Sequence, residues 1–290
     1  MFADLDTDGD LDLVVANHVL RPDNQGSRLF ANDGNGRFRD VTSTDLCWPG
    51  RRGVRNVSVL DLNHDGLLDL LIADNTYRGR SRGENRLYVL KNRGRFRFTD
   101  GAEEFGFPQT ETDGLGLAVG DVNEDGALDI FVAGSNRLFV SNADGTYRES
   151  EPGRLFIPPA DLREGTHCGA VLGDLNGDGL LDLVTAEHGV PARLHLFLNR
   201  GVRRGDPDLV EMSESAGIGD LFPRGTRTEP IKCAHVALND MDNDGRQDIV
   251  LSVVYRDDQG RIQPVVLRNL TPPRGKPKFS KPPYEHMVGY

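Results

Sequence analysis

Apolar residues in this chain gather in short runs bounded by polar turns, and the runs recur in a fixed order. Residues 11–16, 68–73 and 181–186 are short, mainly apolar runs with β-branched content, bounded by polar turns, so they read as strands. A second run stands ahead of each acidic segment that leads into such a strand, seen at 57–60, 115–119 and 234–238. A third run ends at Asn in every repeat: 29–32, 87–92, 138–142, 194–199 and 265–269, closing on Asn32, Asn92, Asn142, Asn199 and Asn269. Gly34, Gly94, Gly145 and Gly201 follow closely, which is hairpin chemistry. An aromatic segment then returns as a fourth strand through Phe38, Phe96 and Phe98, Tyr147 or Phe279, with Leu209 to Met212 in the fourth repeat. No segment keeps a helical period.

Between the first and second strand of each repeat lies one nine-residue loop: acid, x, Asp or Asn, x, Asp, Gly, x, x, Asp. Oxygen-bearing side chains therefore stand at positions 1, 3, 5 and 9. They are Asp4, Asp6, Asp8 and Asp12; Asp61, Asn63, Asp65 and Asp69; Asp121, Asn123, Asp125 and Asp129; Asp174, Asn176, Asp178 and Asp182; and Asp240, Asp242, Asp244 and Asp248. Hard oxygens at this spacing suit Ca2+, and the position-7 backbone carbonyls of Asp10, Leu67, Ala127, Leu180 and Arg246 would add a ligand each. About five Ca2+ ions are expected. Gly9, Gly66, Gly126, Gly179 and Gly245 at position 6 fit a turn with positive φ. An EF-hand is excluded, because it needs a Glu at its twelfth position and flanking helices, whereas strands flank these loops.

Repeat starts 53 to 66 residues apart, each unit holding four short strands, predict an all-β fold. Four-stranded antiparallel blades packed between neighbours favour a β-propeller. Approximate blades are 1–49, 50–108, 109–160, 161–226 and 227–290 of a single domain. The first blade opens so close to Asp4 that its inner strand is expected to be missing. Either the chain is a fragment, with any signal peptide lost, or the tail from Tyr284 to Tyr290 supplies that strand in a ring closure.

Gly173-Asp174-Leu175-Asn176-Gly177-Asp178-Gly179-Leu180-Leu181-Asp182-Leu183 resembles the loop of FG-GAP (VCBS, integrin α-type) β-propeller repeats. Phe38-Arg39-Asp40-Val41-Thr42 and Ser215-Ala216-Gly217-Ile218 are most similar to the cartilage acidic protein type, while the integrin Gly-Ala-Pro ending is replaced by Val15-Ala16-Asn17 and its counterparts. The resemblance implies seven-bladed propellers, calcium-binding loops and an extracellular interaction platform, and the missing ending weakens any integrin-style ligand recognition.

The net charge of −11 takes on a different meaning once the ligands are counted. Seventeen side-chain carboxylates stand at the four template positions, and five divalent ions would bring the formal charge to about −1. The acidity belongs to metal sites, so nucleic acid is not an expected partner. No apolar run approaches the ~20 residues of a membrane span. Calcium sites of extracellular type bind at roughly 10⁻⁴ to 10⁻³ M and would stand empty in cytosol, which points to an extracellular or periplasmic location. Cys47, Cys168 and Cys233 are an odd number without metal spacing; a Cys168–Cys233 bridge and buried thiols both remain open. Asn56 and Asn269 stand in N-glycosylation patterns; Asn56 falls in an expected inner strand and is read as chance, while Asn269, at an expected turn, is a candidate acceptor only in a eukaryotic source.

Loops away from the calcium positions carry two basic clusters in an acidic chain. Trp48, the single Trp, with Arg51, Arg52, Arg78, Arg80 and Arg82 is a candidate surface for a protein or a carboxylated glycan. The plainer reading packs Trp48 between blades and leaves the arginines solvated. No nucleophile elbow, phosphate loop or zinc pattern is present, so no catalytic residue is assigned. The expected function is a calcium-binding adhesion or interaction module. The alternative is a propeller-type hydrolase or lyase on polysaccharide or phosphoester, or an accessory domain of one, using His167, Lys232 or His235 near an axial channel.

Overall fold

The computed structural model describes residues 1–17, 26–42, 54–74, 86–109, 112, 114–150, 166–188, 193–218, 235–256, 259–280 and 287–288. Their regular structure is almost entirely β, arranged as five antiparallel sheets. Sheet one runs β1 (Phe2–Ala3), β2 (Asp12–Val15), β3 (Arg28–Asn32), β4 (Phe38–Asp40) in spatial order. Sheet two holds β5 (Val54–Leu60), β6 (Asp69–Asp74), β7 (Leu87–Asn92) and β8 (Phe98–Asp100), and sheet three β9 (Gly114–Gly120), β10 (Asp129–Gly134), β11 (Arg137–Ser141) and β12 (Tyr147–Glu149). Sheet four is β13 (Thr166–Gly173), β14 (Asp182–His188), β15 (Leu194–Arg203) and β16 (Asp206–Glu211). In sheet five, β17 (Val236–Asn239), β18 (Asp248–Arg256) and β19 (Ile262–Leu267) are joined by β20 (Met287–Val288), which pairs with β18. One short helix, α1 (Ser213–Ala216), ends at Gly217, whose left-handed conformation stops it.

Register explains why a single loop length serves every repeat. In four of the sheets the residue before the acidic loop pairs with its position-9 Asp: Ala3 with Asp12, Leu60 with Asp69, Gly173 with Asp182 and Asn239 with Asp248. The nine-residue segment is therefore the connection that closes the first hairpin of each sheet.

The described residues form two compact units, Met1–Leu117 with Ser141–Arg148, and Ala118–Val140 with Glu149–Tyr290. In the first, Ala3, Leu5, Val14 and Leu29 of sheet one pack on Leu70, Ile72, Tyr88, Leu90 and Phe98 of sheet two. In the second, strand alternation sends Leu183 of β14 toward Val122, Phe131 and Val140, while its neighbour Val184 turns toward Ile249, Leu251 and Leu267. Sheet four is thus buried on both faces. Gly173, at the end of β13, permits this closeness, since a Cβ there would collide with Leu238 and Gln247.

Several expectations change. Sheet one does possess an inner strand, because Phe2 and Ala3 pair with Leu13 and Asp12. The tail segment Met287–Val288 lies in sheet five instead, pairing with Tyr255 and Val254. The reason is strand length: β18 has nine residues and β17 four, so an edge of β18 continues past its partner. Phe279 forms only a single bridge, to Asn269, where a fourth strand was expected.

Candidate metal centres

Each acidic loop is wound by backbone N–H groups around its own carboxylates. The position-1 Asp accepts from the N–H groups of positions 5 and 6, at 3.1 and 2.9 Å for Asp61, Asp121 and Asp174 alike. Asp4 and Asp240 do the same. The position-5 Asp in turn accepts from the position-7 N–H, as Asp65 does from Leu67 at 3.0 Å and Asp125 from Ala127 at 2.9 Å. Asp8, Asp178 and Asp244 repeat this with Asp10, Leu180 and Arg246.

Such tight winding requires left-handed backbone twice per loop. At position 6 it is carried by Gly9, Gly66, Gly126, Gly179 and Gly245, with φ between 85° and 98°. Space is open around all five, so φ and not crowding demands glycine. The second site, position 4, escaped the sequence reading: Thr7, His64, Glu124 and Asn243 sit at φ of 56° to 64°, joined by Gly177 at 72°.

The winding turns the side chains of positions 1, 3 and 5 inward. Carboxylate oxygens of Asp4, Asp6 and Asp8 lie within 4.8 Å of one another, as do those of Asp240, Asp242 and Asp244. Where Asn replaces Asp at position 3, Asn63, Asn123 and Asn176 donate Nδ2–H to Asp65, Asp125 and Asp178. Asp6 Oδ1 is buried without a hydrogen-bond partner. Its carboxyl is held above the usual range, first by burial and then by Asp8, Asp12 and Asp4. An orphaned oxygen among crowded carboxylates fits a hard cation.

The position-9 carboxylates are placed differently from the sequence reading, which made them closing ligands alone. Asp12, Asp69, Asp129, Asp182 and Asp248 are buried. One oxygen of each accepts the position-2 N–H, at 2.9 to 3.1 Å from Leu5, Leu62, Val122, Leu175 and Met241. The other oxygen of Asp12, Asp69, Asp182 and Asp248 accepts the N–H of the Asn that ends the third strand. A second lone pair on each oxygen is left for a cation. Burial raises Asp69 to about 6 and Asp182 to about 7 against those N–H bonds, with the position-1 and position-5 carboxylates adding to the rise.

The Asn itself does more than end a strand. Asn92 Nδ2 donates to Leu68 O of its own loop and to Leu5 O of the preceding one, at 3.0 and 2.8 Å. Asn199 joins Leu181 O and Val122 O in the same way, and Asn269 joins Gln247 O and Leu175 O. A primary amide carries two donors, so one side chain clasps two successive loops. Asn269 is consequently buried and its amide committed, which disfavours it as the candidate glycosylation acceptor at this turn. In sheet three the register Ile130 with Phe139 puts Ser141 at this place, and Asn142 lies one residue beyond, donating to Thr146 Oγ1.

Loop five departs from the rest. Arg268 Nη1 lies 2.7 Å from Asp242 Oδ2, Arg246 Nη2 is paired with Asp244, and Arg246 Nε donates to Asn269 O at 2.7 Å. Trp48, Arg51, Arg52, Arg78, Arg80, Arg82, Cys47, Cys233 and Lys232 lie outside the described residues, as does the side chain of His167. Cys168 is half-buried in β13, and His235 is exposed at the start of sheet five, its N–H donating to Ser252 Oγ. The structure thus brings together the position-1, position-3 and position-5 carboxylates of loops one and five, and in loops two to four joins the position-3 amide to the position-5 carboxylate. Among the described residues no helix is long and apolar enough to cross a membrane.

Five antiparallel sheets, each opened by the same acidic hairpin loop, define an all-β repeat protein. The FG-GAP-like repeat model matches residues 4–72, 73–132, 128–185 and 174–251, and the chain belongs to that family. It is similar to cartilage acidic protein 1 of Mus musculus, 32% identical over 187 residues that cover 60% of this chain and 26% of that protein. With the Homo sapiens protein it shares 31% over 213 residues, covering 69% and 30%. The chain therefore spans less than a third of these relatives' length. Among solved structures, the V. cholerae biofilm matrix protein Bap1 superposes at a TM-score of 0.37 with 19% identity, over 72% of this chain and 27% of that one, a fit too loose to assign the fold.

Proposed function

We propose that the chain is a calcium-stapled β-propeller, or five blades of one, serving as an extracellular or periplasmic interaction module for a protein or glycan. The observation that carries the calcium reading is the first loop, where three carboxylates converge and Asp6 Oδ1 is buried without a partner. Positions 1, 3, 5 and 9 would hold the ion, which would neutralise the carboxylates and tie both ends of the hairpin connection together. Family membership supports the blade architecture, and likeness to relatives whose name ties them to cartilage supports the extracellular role. Binding would fall to loops away from the acidic hairpins, where Trp48 and Arg51, Arg52, Arg78, Arg80 and Arg82 stand in the sequence.

Thermal unfolding in metal-free buffer and in millimolar calcium, with metal content measured on the same samples, tests the staple. A site held at 100 times its Kd gains about 2.7 kcal/mol, so several such sites should raise the Tm by well over 10 °C. No bound metal and no rise would sink the calcium reading. Glycan-array and extracellular-protein binding by the parent, compared with Trp48→Ala and Arg78→Ala/Arg80→Ala/Arg82→Ala variants, tests the module; turnover of a polysaccharide or phosphoester would refute it.

A further inference from the structure

Among the described residues, loop five stands apart in pairing two guanidinium groups with its inward carboxylates. Arg268 is paired with the position-3 Asp242 and Arg246 with the position-5 Asp244. Both carboxylates belong to the trio that converges at that loop. Two guanidinium groups bring the same charge as one Ca2+, so loop five supplies its own counter-ions. The pairing is particular to this repeat. Position 7 elsewhere holds Asp10, Leu67, Ala127 or Leu180, and Lys91, which precedes the clasp Asn in sheet two as Arg268 does in sheet five, turns to Glu104 instead. Position 3 also differs in its partner: Asn123 and Asn176 are buried and donate to Asp125 and Asp178, while the side chain of Asp242, a quarter exposed, lies under Arg268.

We infer that Arg246 and Arg268 compete with calcium at loop five, making it the weak site of the set and keeping its fold when the ion is absent. This rests on the calcium reading of the other loops. To enter, an ion must displace Arg268 from Asp242 and Arg246 from Asp244. Each exposed pair is worth a fraction of a kcal/mol to about 1, which together weakens the site about 10-fold.

Calcium titration of the metal-free chain by isothermal calorimetry at low ionic strength should show four equivalents taken up first and a fifth about 10-fold weaker. Arg246→Gln/Arg268→Gln should convert this to five equivalents of one affinity class. Arg268→Gln alone, which leaves the Arg246 bond to Asn269 in place, should move the fifth site part of the way and guards against a folding defect in the double variant. Five equal sites in the parent would overturn the inference, as would a fifth site that neither variant strengthens. Absence of calcium from all five loops would refute the calcium reading and this inference with it, a result distinct from five equal sites.

Discussion

The Asn clasp can be tested through a contrast that the repeat sequence hides. Asn199 is buried, donates to Val122 O at 2.8 Å and Leu181 O at 3.2 Å, and accepts from Gly201 N–H at 3.0 Å. Replacing it with Ala removes all three bonds and leaves the Val122 carbonyl, in a buried setting, without this donor. At about 1 kcal/mol net per bond, and more for a buried group left bare, the loss is about 3 to 4 kcal/mol. Asn142 looks equivalent in the sequence but makes one side-chain donation, to Thr146 Oγ1, in a half-buried turn. Asn142→Ala should cost about 1 kcal/mol or less. Asn199→Asp keeps the shape and sets a carboxylate against two carbonyl oxygens, so it should be no milder than Ala. Urea unfolding followed by far-UV circular dichroism, in saturating calcium, measures all three variants against the parent. Equal losses for Asn199→Ala and Asn142→Ala, or a loss under 1 kcal/mol for the first, would refute the clasp.

Two further outcomes follow from the loop geometry. Asp69 at about 6 and Asp182 at about 7 lie above the ordinary carboxylate value because burial penalises their charge. Between pH 4 and 7 these two groups bind more protons in the folded chain than in the unfolded one, and stability without metal should fall as pH rises, by on the order of 6 kcal/mol for the pair. Calcium binds the ionised forms, so the gap in Tm between metal-free and calcium-loaded protein should widen from pH 5 to 7.5; a constant gap would contradict the assignment. The glycines separate two kinds of cost: Gly126 has φ of 88° and open space, so Gly126→Ala should lose about 1 kcal/mol through backbone strain, and Gly126→Asn less. Gly173→Ala should lose about 1 to 3 kcal/mol by overpacking against Leu238 and Gln247, and calcium affinity should drop only for the Gly126 variants.

The hairpin loops and most strands were legible because both obey local rules. An acid at position 1, glycine at position 6 and Asp at position 9 show in any one copy, and the apolar runs after them need no partner to be recognised. What stayed hidden depends on residues far apart in the chain. Asn92 and Leu5 are 87 positions apart, Asn199 and Val122 77, and Asn269 and Leu175 94, so ending a run at Asn was visible and bridging two loops was not. Aligning repeats by their Asn also slipped sheet three by one residue, since only the ladder shows Ser141 at the clasp position. Positive φ at position 4 was masked by its occupants, Thr7, His64, Glu124 and Asn243, of which only His and Asn are enriched there.

These bonds also change what metal removal should do. Counting carboxylates suggests that three or four close charges per loop would push the chain apart without calcium. Yet the position-1 carboxylate is already tied to two N–H groups within the loop, and most position-9 carboxylates tie the loop to the third strand. Those ties are made by the protein's own N–H groups, and they hold the hairpin at its two ends. The unmet demand is central, at positions 3 and 5, where Asp6 Oδ1 waits in loop one and two arginines answer in loop five. Chelation should therefore lower the melting temperature and loosen the loop centres while the sheets persist. Amide hydrogen exchange distinguishes the two pictures: positions 3 to 7 of loops one to four should gain exchange on calcium removal, β6, β10 and β14 should keep their protection, and loop five should change least. Global loss of protection in those strands would show that the ion, and not the N–H lattice, holds the hairpins closed.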